Sequence, residues 1–254
     1  MTGGCSRSGP RRSGGWYHRR VSEDIGTVLR KEASEFLGNV RTLRVFFLVV
    51  LISGLLPSLS AQLPVHIPTT LRGALSIFYV VTAAVVVVAQ TAPDLVIRER
   101  AGHTLESLLS SRLPDAAVFA GKALTAALMG YAAALLTMVV QLAGSAVRLH
   151  TVHWLYLASP TGRWLALGAP LVIAAYMAAI GTYVALRILD QWSAYMITVM
   201  SLGVITLPFA LHWISLDVAA PWLRGAVFVL AAVDASLMAL GGRLFRRDLL
   251  VLFL

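Results

Sequence analysis

Apolar positions run in six blocks along the chain, at about residues 45–63, 74–93, 116–143, 164–186, 192–212 and 222–242. Each meets the length of roughly 20 residues that a helix needs to cross the hydrocarbon core of a bilayer. Pro57 is expected to break the first block, and the third is longer than a crossing requires. Pro170 and Pro208 fall inside the fourth and fifth, where neighbouring helices in a bundle can satisfy the backbone groups that proline frees. Ahead of the first block the pattern changes. From Asp24 to Arg44 the apolar residues are Ile25, Val28, Leu29, Ala33, Phe36, Leu37, Val40 and Leu43. These steps of three and four make one helical stripe, with Arg30, Lys31, Glu35 and Arg41 off it. A charged amphipathic helix directly before a span is expected to lie in the plane of the membrane interface.

The pattern therefore predicts an all-α membrane protein. Residues 1–22, rich in Gly, Ser and Arg, are expected to be a disordered basic tail. An interfacial amphipathic helix occupies 23–44, and a six-helix transmembrane domain occupies 45–254. A short helix on the cytoplasmic side is expected within about 95–113. No internal repeat and no second domain are visible.

Composition agrees. Of 254 residues, 58% are hydrophobic and 13% charged, against about 45–50% and about 25% in a typical soluble domain. The net charge of +9 has a topological origin rather than a nucleic-acid one, because the basic residues cluster beside the apolar blocks. With the N-terminus inside, seventeen of the 21 Lys and Arg residues fall on the cytoplasmic side. Arg72, Arg148, Arg163 and Arg224 fall outside. Both ends are then cytoplasmic, and the chain is expected in the plasma (inner) membrane as a multi-pass protein. Trp154, Trp164, Trp213 and Trp222 would form an outer aromatic belt. The single cysteine, Cys5, permits no intrachain disulfide.

The polar stretch Asp94–Asp115 reads DLVIRERAGHTLESLLSSRLPD. Leu105, Leu108 and Leu109 share a helical face, Thr104 can start that helix, and Glu106 sits off the face. Exposed leucines flanked by Arg98, Glu99, Arg100, Glu106 and Arg112 suit docking into a groove on a partner, or resting on lipid. The run Glu99-Arg100, Thr104-Leu105-Glu106, Leu108-Leu109, Pro114 and Gly121-Lys122 resembles the block between the second and third spans of ABC-2 type transporter permeases. Arg30-Lys31-Glu32 with Arg41 is similar to the interfacial helix before the first span in that family. One departure is His103, which stands where the family has glycine.

The resemblance implies that 99–113 is a coupling helix inserted into a cytoplasmic ABC ATPase, with Glu99, Arg100, Thr104, Leu105, Glu106, Leu108 and Leu109 as coupling residues. It implies a second permease chain, identical or different, paired with two ATPase subunits. It also implies a dip of the 211–222 connection into the outer leaflet.

The chain lacks G-x-x-x-x-G-K-[ST]; Gly121-Lys122 is followed by Ala and has no upstream loop glycine. It is therefore expected not to be an enzyme and to bind no cofactor itself, with ATP and Mg on the partner. His150 and His153 lack a third ligand nearby and read as surface residues, so no metal site is expected. Asp234 lies mid-way along the sixth block, where an acid is costly. It is a candidate for the translocation pathway or a hydrogen-bonded packing residue. Ala174, Ala175, Ala178, Ala179 and Gly181 permit close helix contact, within one chain or between two. The expected function is export of drugs, antibiotics or other amphipathic compounds. The alternatives are lipid or glycolipid export, and a non-transport scaffold or sensor subunit. A self-sufficient ion-coupled carrier would need more buried acids or broken spans than are found.

Overall fold

The computed structural model describes residues 15–60, 69–101, 115–149, 160–188, 190–212, 225 and 228–237. Among the described residues every regular element is a helix and there is no strand. In chain order they are α1 (Gly15–Gly38), α2 (Val40–Ser60), α3 (Thr69–Ala101), α4 (Asp115–Leu149), α5 (Pro160–Arg187), α6 (Gln191–His212) and the short α7 (Phe228–Leu237).

Four of them are long and apolar enough to cross a membrane, over Val40–Pro57, Leu75–Glu99, Ala116–Gly144 and Gly162–Arg187. α3, α4 and α5 form the centre, and the contact of α3 with α5 is the most extensive. Their seam is built from small residues. Ala84, Ala89 and Ala92 of α3, Ala123, Ala126 and Ala134 of α4, and Ala174 and Ala178 of α5 are all buried. Small side chains let backbones approach in a medium that offers no hydrophobic drive between helices. A Cβ on Gly130 would collide with Val88, and one on Gly181 would come within 2.9 Å of Ala92. The small-residue stripe of α5 is thus used inside the chain. α2 packs on the outside of α4, with 22% of its spanning segment buried against 61% for α5. Phe47, Leu48, Leu51, Ile52 and Leu55 of α2 are exposed, as a lipid-facing side would be. Deep in the bundle, the Gln141 amide of α4 donates to the backbone carbonyls of Ser53 and Ser76, joining three helices.

Several boundaries differ from expectation. α1 starts at Gly15, so 15–22 are helical rather than part of a disordered tail. The 23–44 segment is two helices, not one. Asn39 ends the first and caps the second, its Oδ1 accepting from the Arg41 and Thr42 amides at 3.1 and 3.3 Å. α2 continues through Pro57 to Ser60 instead of breaking there. α3 continues through Pro93 to Ala101, so the start of the expected polar connection is helix. The Arg98–Asp94 ion pair, one turn apart at 2.5 Å, supports this last stretch.

The amphipathic stripe of α1 also has a protein partner. Val28 and Phe36 are buried against the bundle, chiefly on α4, and Phe36 meets Phe46 of α2 edge-on at 5.9 Å. Leu37 is left exposed.

Candidate functional site

α1, the end of α3 and the start of α4 meet where the apolar segments end. The helical period explains the contact. Val28, Glu32 and Phe36 are four apart, so Glu32 sits between two buried apolar residues on the inward face of α1. On α4 the matching position is Gly121. A Cβ there would lie 2.6 Å from Val28 Cγ1 and 2.8 Å from Val28 Cβ, so only glycine admits α1 this closely.

The next residue, Lys122, enters the gap so created. Its Nζ donates to Glu32 Oε1 at 2.7 Å and to the Leu95 carbonyl at 2.9 Å. It also lies 2.9 Å from Glu99 Oε2. An ammonium has three protons to donate, and three acceptors from two other helices surround this one. The other oxygen of Glu99, Oε1, accepts from Lys31 Nζ at 3.3 Å. Lys31 in turn lies 3.6 Å from Glu35, at the surface. Glu32, Glu99 and Lys122 are buried, while Lys31 is half exposed. Two lysines face two buried carboxylates, so the cluster is neutral as a set. Withdrawal from water pushes the Glu32 carboxyl above its ordinary range, with the Lys122 ammonium pulling the other way. Burial opposes the charge on Lys31, but the carboxylates of Glu99, Glu35 and Glu32 outweigh it and raise its pKa.

A buried ion set of this kind contributes little net stability, since desolvation offsets attraction. Its effect is geometric. Removing any member leaves an uncompensated charge, so α1, α3 and α4 are held in one register.

The residues expected to serve coupling divide accordingly. Glu99 is buried inside the chain, among the charges of this cluster. Arg100 lies on the last turn of α3. Thr104, Leu105, Glu106, Leu108 and Leu109 lie outside the described residues. Asp234 lies on α7, and its Oδ1 is buried without a hydrogen-bond partner among the described residues. The structure does not bring it to the charge cluster, and α7 packs through Leu230 and Leu237 on the central core. Sequence reasoning missed Glu32 as a site residue and gave Lys122 no ionic partner. The signal was present: an acid on the apolar stripe of α1 and a lysine nearly two turns into an apolar block both need a partner.

No model of a known protein family matches the sequence, and no curated protein matches it. The functional reading therefore rests on the residues themselves.

Proposed function

We propose that the chain is the membrane-spanning subunit of an ATP-driven exporter of the ABC-2 kind, coupled to a separate cytoplasmic ATPase. The observation that carries the reading is the Lys122 ammonium, which is bound to both Glu32 and Glu99. The resemblance rests on two stretches distant in sequence: Arg30-Lys31-Glu32, and the block that opens at Glu99-Arg100 and ends at Gly121-Lys122. Both meet at this one group: α3 and α4 flank residues 102–114, and α1 packs against α4. A push on a segment so flanked is delivered to α1, α3 and α4 together, which is what coupling to a partner requires.

In this reading six spans place both termini in the cytoplasm, with α6 and α7 belonging to the last two. Two permease chains pair with two ATPases, which bind ATP and Mg. ATP-driven closure moves 102–114 and shifts the spans between inward and outward access. The sparse polar character of the spans suits amphipathic drugs or antibiotics better than strongly charged cargo.

The test is capture of an ATPase carrying G-x-x-x-x-G-K-[ST] on the tagged chain, with ATP turnover in reconstituted membranes. Burying one leucine contributes about 1.5–3 kcal/mol, so Leu105→Asp or Leu109→Asp should lower capture at least about tenfold. Glu106→Lys should retain capture and lower turnover, since charge sets register more than affinity. Full capture and turnover in both leucine variants would remove the coupling role of this segment.

A further inference from the structure

A second feature lies beside the charge cluster but shares none of its four residues. The first turns of α2, the last turns of α3 and the start of α6 enclose a groove of about 610 Å³. It sits where spanning segments end, since Val40 opens one of them and Glu99 closes another. Its lining is mostly apolar, with Val45, Phe46 and Val87 beside the polar Thr42, Gln90 and Thr91. On the α6 side Trp192 stacks on Tyr195 with ring centroids 5.6 Å apart, and Trp192 is 68% exposed.

Among the described residues the groove carries four charges, and they are not equivalent. Arg98 is occupied, bridging Asp94 at 2.5 Å and donating to Thr42 at 3.3 Å. Asp94 also accepts from Gln191 at 3.3 Å. These two charges are spent on each other. Arg41 is exposed, and its guanidinium has no partner among the described residues. Asp190 is exposed at the N-terminus of α6, where its Oδ2 accepts from the Ser193 amide at 2.7 Å and the Ser193 hydroxyl at 2.6 Å. Those bonds hold its carboxyl below the ordinary carboxylate range. Among the described residues, the groove thus offers one uncommitted cation on the α2 side, one persistent anion on the α6 side, and a mostly apolar lining.

We infer that this groove is a binding site for a zwitterionic bilayer phospholipid bearing an ammonium group. Its phosphodiester pairs with Arg41, its ammonium with Asp190, and its acyl chains run along Val45 and Phe46. Charge complementarity selects this headgroup. A purely anionic one would satisfy Arg41 and face Asp190 unfavourably. Aromatic and arginine side chains at a span end are the usual neighbours of headgroups. The inference requires only that these helices cross a membrane, and not that the chain transports anything.

The test uses the full chain purified in detergent, incubated with an equimolar mixture of phosphatidylethanolamine and phosphatidylglycerol. Native mass spectrometry reads the retained lipid. The wild-type chain should retain phosphatidylethanolamine in preference, by about tenfold for one charge-assisted contact. Asp190→Asn keeps a good helix cap and should bring the two lipids to parity. Arg41→Ala should lower retention of both by about tenfold, and Arg41→Lys should restore it in part. Equal retention of the two lipids by wild type, a preference unchanged in Asp190→Asn, or retention unchanged in Arg41→Ala would each overturn the assignment.

Discussion

Lys122 is the residue on which most depends. Its ammonium donates to Glu32 and to the Leu95 carbonyl and forms an ion pair with Glu99, so one group ties α4 to both α1 and α3. Replacing it by alanine leaves two carboxylates buried with only Lys31 nearby. Breaking a buried pair in this way costs about 3–5 kcal/mol. Lys122→Ala should therefore lower the thermal unfolding midpoint of the detergent-solubilised chain sharply. Adding Glu32→Gln to it should recover part of the loss, because the second change removes one of the stranded charges. If the double variant unfolds lower than the single one, the two residues are not paired. Asp234 offers a contrast at the same scale. Its Oδ1 lacks a partner among the described residues, so Asp234→Asn should leave the unfolding midpoint almost unchanged, and turnover in the reconstituted complex is the measurement that decides a role in transport.

At the scale of elements, the seam between α1 and α4 is set by Gly121. The Val28 side chain occupies the space that any Cβ would need. Gly121→Val should force the helices apart at a cost of about 1–3 kcal/mol. The backbone amides of α1 should then exchange faster with solvent deuterium, while those of α3 and α5 keep their protection. Unchanged exchange over residues 23–38 would mean that the seam is not held there. The sequence made this seam half visible. The stripe of α1 was plain, and Glu32 lies on it between Val28 and Phe36, but an amphipathic stripe does not say whether lipid or protein covers it. The division at Asn39 was written as Gly38-Asn39, a helix end beside a cap residue. It was obscured because the apolar spacing runs unbroken from Phe36 through Val40 to Leu43. The run of α3 past Pro93 was hidden for a different reason. A proline followed by charged residues reads as a stop, whereas here the Asp94–Arg98 pair and the contacts of Glu99 carry the helix on. Thus the four candidate spans among the described residues were legible as lengths of apolar residues. The site was not, because it depends on which helix lies against which.

At the scale of the whole molecule, charge and packing bear on the same question of orientation. The contacts of Lys122 with Leu95, of Arg98 with Thr42 and of Gln191 with Asp94 bring the ends of four helices, α2, α3, α4 and α6, to one side of the bundle. That side carries Lys31, Arg41, Arg44, Arg98, Lys122 and Arg187, whereas Arg163 lies at the opposite end, at the start of α5. Lys and Arg beside spans are retained in the cytoplasm during insertion, so the side bearing the charge cluster should face inward. The two connections joining α2 to α3 and α4 to α5 should then face outward, and the connection joining α3 to α4 inward. A chain with Cys5→Ser provides a background free of thiols, since Cys5 is the sole cysteine. On that background a cysteine at Ser159 should react in intact cells with a thiol reagent that does not cross the membrane. A cysteine at Ser110 should react only after the membrane is opened. Labelling of Ser110 from outside would invert the bundle. It would place the cluster of α1, α3 and α4 beyond the reach of any cytoplasmic ATPase, and the proposed coupling would fall with it.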